Sequence, residues 1–181
     1  REVELCQKYG ELLAKAVEEV LEESMDPVLP KLQTSFEFVD LKFGQQPTAE
    51  ELKVTAAGTN YMARWAKRML AVLESGESFQ KSYRYPVQAW KLGGEYTLIT
   101  MGGEVVVDYS LMFTEKYGPK TWVAGYTNDV MAYIPSHRIW EEGGYESGAF
   151  AVYGLPAVRW NENIEQEITA AVAHLIDKLN R

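Results

Sequence analysis

Cysteine, histidine and clustered positive charge are all in short supply in this chain. Cys6 is the only cysteine among 181 residues, so an internal disulfide is impossible and no CxxC pair exists. It falls on the apolar side of the first predicted helix, which favours a buried, inert thiol over a reactive one. The two histidines, His137 and His174, form no HExxH or comparable metal spacing. His174 borders the apolar stripe of the last predicted helix and reads as a surface or partly packed residue. His137 follows Pro135-Ser136 in a loop, where it is either solvent-exposed or near a substrate. The sequence also lacks a GxSxG elbow, a GxxxxGK[ST] phosphate loop and a GxGxxG turn after a strand. With 26 acidic against 18 basic residues the formal net charge is −8, and no local basic cluster offsets it, which argues against a nucleic-acid partner. No apolar run reaches the ~18 to 20 residues of a membrane span, and no signal-peptide pattern opens the chain. Arg1 stands first and a helix follows at once, which suggests a piece of a longer polypeptide.

What remains is ordinary globular composition, 46% hydrophobic and 24% charged, enough for one sizeable core. Glu2 to Glu23 sets Leu5, Tyr9, Leu12, Leu13, Ala16, Val17, Val20 and Leu21 at spacings of three and four, an amphipathic helix. Asp26-Pro27 and Leu29-Pro30 end it. Leu32 to Phe43 alternates as a half-buried strand, bulged near Phe38. Thr48 with Glu51 forms a capping box, and Thr59 or Asn60 opens a second helix. Strands follow at Ser82 to Trp90 and Tyr96 to Met101, joined by a turn at Leu92-Gly93-Gly94-Glu95, with Pro86 marking an edge strand or the sheet's rim. A helix from Val105 to about Lys116, a short strand from Thr121 to Gly125 and a closing helix from Glu162 to Asn180 complete the pattern. The expected architecture is a single α/β domain over residues 1–181, a layered arrangement with a mixed β-sheet flanked by helices.

The stretch Glu95 to Glu104, EYTLITMGGE, carries the most chemistry. Tyr96 to Met101 is apolar or β-branched on both parities, the pattern of a strand buried on both faces, and Gly102-Gly103 allows a tight turn. Glu104 would then stand at a strand-to-helix junction, where open α/β sheets place ligands. Two readings are open: a site carboxylate, or a cap on the helix N-terminus. Trp122, Tyr126, Trp140, Phe150 and Tyr153 similarly fit an apolar groove or plain core. Glu141-Glu142 is a solvated charge pair, because adjacent acids seldom converge on one bond.

YPVQAWKLGG at 85–94, the strand ending in Glu104, and WVAGYTNDVMAYIPSHRIWEEGGYESGAF at 122–150 together resemble the C-terminal part of the catalytic region of the neutral/alkaline (non-lysosomal) ceramidase family and its bacterial relatives. The resemblance covers most of the chain and is firmest from Tyr85 to Gly154. It implies that Glu104 and Tyr133 bind zinc and that Tyr145, followed by Glu146, points its hydroxyl at the substrate carbonyl. Gly102 stands where the family usually has proline, and the interval from Glu104 to Tyr133 is short, which suggests a trimmed loop.

The same resemblance implies a zinc-dependent amide hydrolase acting on ceramide or another N-acyl lipid, secreted or periplasmic. In that family the histidine ligands and the active-site serine precede the matched region. This chain would therefore hold half of a metal site, be completed by the N-terminal remainder of the same polypeptide, and bind no zinc tightly alone. The rival expectation is a non-catalytic binding or interaction domain with a degenerate site, in which the two tyrosines only pack a loop.

Overall fold

A computed structural model describes residues 3–181. The expected helix start at Glu2 lies outside the described residues. In chain order the elements are α1 (Val3–Glu22), β1 (Leu32–Lys42), α2 (Ala49–Ala56), α3 (Tyr61–Glu74), β2 (Ser82–Leu92), β3 (Tyr96–Met101), β4 (Glu104–Val105), α4 (Val107–Tyr117), β5 (Thr121–Ala124), β6 (Tyr133–Ile134), α5 (His137–Glu142), α6 (Tyr145–Gly148), α7 (Phe150–Tyr153) and α8 (Ile164–Leu179). Four strands form a mixed sheet in the order β1-β2-β3-β5. The first three pair antiparallel, and β5 joins β3 in parallel after the crossover through α4. The architecture is thus an α/β layered domain with a mixed sheet.

Alternation along the strands gives the sheet two unlike faces. Leu41, Tyr85, Val87, Ala89, Ile99 and Met101 point inward and are fully buried, where Ile164, Ile168, Val172, Leu175 and Leu179 of α8 join them in one core with Tyr109 and Phe113 of α4. Burying an aliphatic side chain contributes about 1.5–3 kcal/mol, so the α8 stripe alone outweighs any single polar contact in the molecule. A second, smaller core joins Leu52, Trp65, Ala66 and Met69 of α2 and α3 to Ala151. Trp65 ties it to the main body by donating its indole N–H to the Leu155 carbonyl at 2.8 Å. The capping box at Thr48 and Glu51 forms, and Asn60 caps α3.

Several local expectations are corrected. Cys6 is exposed, because no residue of α1 is buried. The register from Leu32↔Leu92 to Lys42↔Ser82 is unbroken, so β1 carries no bulge at Phe38. Pro86 lies on β2, an interior strand, but at the point where pairing with β3 gives out. Gly102 donates its N–H to the Pro86 carbonyl, and proline has no N–H to return; the Gly102 carbonyl instead accepts from the buried Tyr85 hydroxyl at 2.8 Å. Only the last half of β3, from Ile99 to Met101, is buried on both parities. The helix expected from Val105 begins at Val107, since Glu104 and Val105 are taken up by a two-stranded parallel sheet with Tyr133 and Ile134.

Gly103 permits that second sheet. Its φ of +74° lies in the left-handed region, and a Cβ there would stand 2.6 Å from the Ala132 carbonyl oxygen. Gly103→Ala should therefore destabilise the chain by about 2–4 kcal/mol, combining backbone strain with overpacking. Urea denaturation measures this, and an unchanged midpoint would show that β4 and β6 tolerate separation.

Candidate functional site

Glu104, Tyr133 and Tyr145, separated by up to 41 positions, meet in one cluster. Backbone pairing sets Glu104 directly opposite Tyr133, with the Glu104 N–H donating to the Ala132 carbonyl at 2.8 Å. Tyr145 opens α6 after the Gly143-Gly144 turn, and its ring packs edge-on against Tyr133, centroids 5.6 Å apart. The two tyrosines thus stand on a short strand and a short helix, where an irregular loop was expected.

Glu104 does not cap α4. That helix has Val106 at its N-cap and no side-chain capping bond. The carboxylate is instead surrounded by phenols: Tyr126 donates to its Oε2 at 2.9 Å and Tyr153 donates to its Oε1. The ring of Tyr153 also lies edge-on to Tyr133, centroids 6.3 Å apart. The Tyr153 hydroxyl bond is the main influence holding the Glu104 carboxyl below its ordinary range, with Tyr133 and Tyr126 adding to it against the opposing effect of burial. Each phenol shifts the other way. Hydrogen bonding to Glu104 pushes Tyr133 up to about 12 and raises Tyr126, whereas Tyr153 is raised first by burial and then by Glu104.

The supporting contacts explain why these short elements hold. The fully buried Trp160 donates its indole N–H to the Tyr133 carbonyl at 2.8 Å and stacks on Phe43. After β6, the buried Ser136 caps α5 and donates to Asp108 of α4 at 2.5 Å, while Arg138 reaches the same carboxylate at 2.9 Å. Arg138 and Ser136 hold the Asp108 carboxyl below its usual range. Gly103, in turn, donates to the Asp129 carbonyl and accepts from the Tyr126 N–H, which fixes the 125–132 loop over β4. Tyr126 and Asn128 in that loop have φ of +56° and +70°, a conformation few side chains adopt.

The remaining candidates divide. His137 is exposed on α5, stacked on Trp140 with its Nε2 3.6 Å from Glu141. His174 takes no part in the tyrosine cluster and places Nδ1 2.8 Å from Glu37, a carboxylate it shares with Lys178. Phe150 belongs to the core, Trp122 and Tyr126 are exposed, and Tyr153 belongs to the Glu104 cluster. Trp140 lines a cleft of about 520 Å³ with Gly44, Gly143, Gly144, Arg159 and Trp160, a hollow that does not include Glu104 or the clustered tyrosines. In the sequence Tyr126 and Tyr153 read only as aromatics of an apolar groove or of the core. Nothing in their spacing points at Glu104, because the contact is made by chain returns of 22 and 49 residues.

As a donor set the cluster offers one carboxylate and phenol oxygens, hard ligands that suit zinc only as part of a set, since catalytic zinc ordinarily has three protein ligands drawn from nitrogen, sulfur and carboxylate. Among the described residues, no group of three or more His, Cys, Asp or Glu side chains is placed to hold a metal ion. No helix among those residues is long and apolar enough to cross a membrane. No protein-family model, curated protein or solved structure matches the chain.

A carboxylate with a depressed folded pKa stabilises the fold above its unfolded value, ordinarily about 4.5, and that contribution is lost as pH falls through the folded value. In the metal-free chain, carboxyl NMR titration should show Glu104 below the ordinary range and moving up in Tyr153→Phe. Over the same acid range, the stability gap between the native chain and Glu104→Gln should narrow as pH drops. A Glu104 titration unaltered by Tyr153→Phe would mean that the hydroxyl bond does not govern the carboxylate.

Proposed function

We propose that this chain supplies part of the metal site of a zinc-dependent amide hydrolase resembling neutral ceramidase, with ceramide or another N-acyl lipid as substrate. The observation that carries this reading is the convergence of Glu104, Tyr133 and Tyr145, the three residues on which the family resemblance rests. Glu104 and Tyr133 present oxygen donors from paired strands, and Tyr145 stands beside them with a hydroxyl free of any protein partner among the described hydrogen bonds. The nitrogen donors that zinc also requires come, on this reading, from an N-terminal part of the parent polypeptide.

When bound, zinc supplies Lewis acidity toward an amide carbonyl and lowers the pKa of a coordinated water. The chain's own residues do the rest. Glu104 offers a carboxylate oxygen pre-oriented by Tyr126 and Tyr153, the kind of outer hydrogen bonding that fixes a ligand's direction. Tyr133, opposite Glu104 across the paired strands, would offer its phenol oxygen to the same ion. Tyr145 donates its hydroxyl to the oxygen of the carbonyl as negative charge builds there.

One observation favours the rival reading of a non-catalytic binding domain with a degenerate site: both oxygens of Glu104 already accept phenol hydrogen bonds, so the cluster is complete without an ion. The two readings separate in the full-length parent. There, Tyr145→Phe should reduce kcat about 10²- to 10³-fold on an N-acyl lipid with little change in KM and normal zinc content. Glu104→Gln should lower zinc content and activity together. Full zinc occupancy and undiminished turnover in both variants would leave the cluster a packing feature.

A further inference from the structure

Among the described residues, nothing covers two large apolar surfaces of the chain. In α1, Leu5, Leu12, Leu13, Val17, Val20 and Leu21 form one stripe and are all exposed, Leu13 to 69%. The helix makes no extensive packing contact with any other element among the described residues. An isolated 20-residue helix with this composition is marginal in water, so its stripe needs a surface to lie on. The outer face of the sheet is the second surface. Register places Leu32, Phe36, Phe38, Leu92 and Trp122 on the side away from α8, and all five are exposed, Trp122 to 63%. Exposed apolar surface of this extent marks an interaction site.

We propose that a second copy of this chain covers both surfaces, each copy laying its α1 across the outer sheet face of the other in a two-fold exchange. The connection between α1 and β1 favours exchange over folding back. Val28 and Leu29 lie against Gly93 at the β2–β3 turn, and Gly93 donates its N–H to the Lys31 carbonyl at 2.8 Å, which anchors the end of the connection at one margin of the sheet. Asp26 and Leu29 each precede proline, which restricts both toward extended backbone, and α1 makes no extensive contact with its own body. Short, stiff hinges of this kind are the usual route to exchanged dimers.

Charge and area agree. Around its stripe α1 bears five glutamates against two lysines, whereas the charges on the outer sheet face are Lys42 and Arg84 against Asp40, with the Arg84 guanidinium 4.0 Å above the Phe38 ring. A helix about 30 Å long, packed along its stripe, buries on the order of 1,000 Å² over both surfaces; the reciprocal pair reaches about 2,000 Å², within the range of obligate homodimers. This inference concerns α1 and the outer sheet face, neither of which carries Glu104, Tyr133 or Tyr145.

Sedimentation equilibrium on the native chain should give a two-chain mass. Leu13→Glu and Phe36→Lys each place a charge on one of the proposed surfaces, away from the core, so circular dichroism should report native sheet content in both and no loss of helix beyond that of α1. Each should weaken association at least ~30-fold, as loss of a central contact does. An equimolar mixture of the two variants should re-form dimers, because one interface in the mixed pair is intact and the other sets the introduced carboxylate near the introduced ammonium. A native chain that sediments as a monomer up to its solubility limit overturns the proposal. So does loss of association in Leu13→Glu with none in Phe36→Lys, which would mean that α1 pairs with α1.

Discussion

Two residues of backbone pairing carry the organisation of this molecule's chemical centre. Glu104 opposite Tyr133 and Val105 opposite Ile134 form a sheet too short to persist by itself. It persists because the neighbouring structure leaves it no alternative. Gly103 turns the chain with a conformation and a closeness that a side chain would forbid, Trp160 grips the Tyr133 carbonyl from the core, and the Asp108, Ser136 and Arg138 network locks the far end of β6 to α4. The carboxylate is held in place by packing elsewhere.

That arrangement resolves an electrostatic problem. A carboxylate set among aromatic rings loses hydration, and with no cation beside it the charge must be stabilised by hydrogen bonds. Phenol hydroxyls do this without adding charge. Tyr126 and Tyr153 bind separate oxygens, and Tyr133 acts on the same group, so the acid stays ionised at neutral pH while the tyrosines stay protonated.

Much of the scaffold is legible in the sequence, since period and punctuation are local. The alternation of β1, the Leu92-Gly93-Gly94-Glu95 turn, the capping box at Thr48 and the stripe of α8 follow from neighbours within a few residues. Local reading fails where distant contacts decide. The α1 stripe points Cys6 toward a core, but periodicity says which face of a helix is apolar, not whether anything covers it. Pro86 suggests an edge strand or the sheet's rim, and the second holds: β2 is interior, but Pro86 lies just beyond the last pair with β3, where the Tyr85 hydroxyl takes the Gly102 carbonyl that proline cannot reach. Only the family resemblance pairs Glu104 with Tyr133 in the sequence, and it leaves out Tyr126 and Tyr153 because their bonds to Glu104 span long returns of the chain.

The central claim is that Glu104 and Tyr133 are two oxygen ligands of one metal ion. Anomalous diffraction at the zinc edge, from crystals of the full-length parent loaded with zinc, tests it most directly. The account predicts one strong peak at about 2.0–2.2 Å from both a Glu104 carboxylate oxygen and the Tyr133 phenol oxygen. A zinc peak lodged elsewhere, with Glu104 still bonded to Tyr126 and Tyr153, would contradict it.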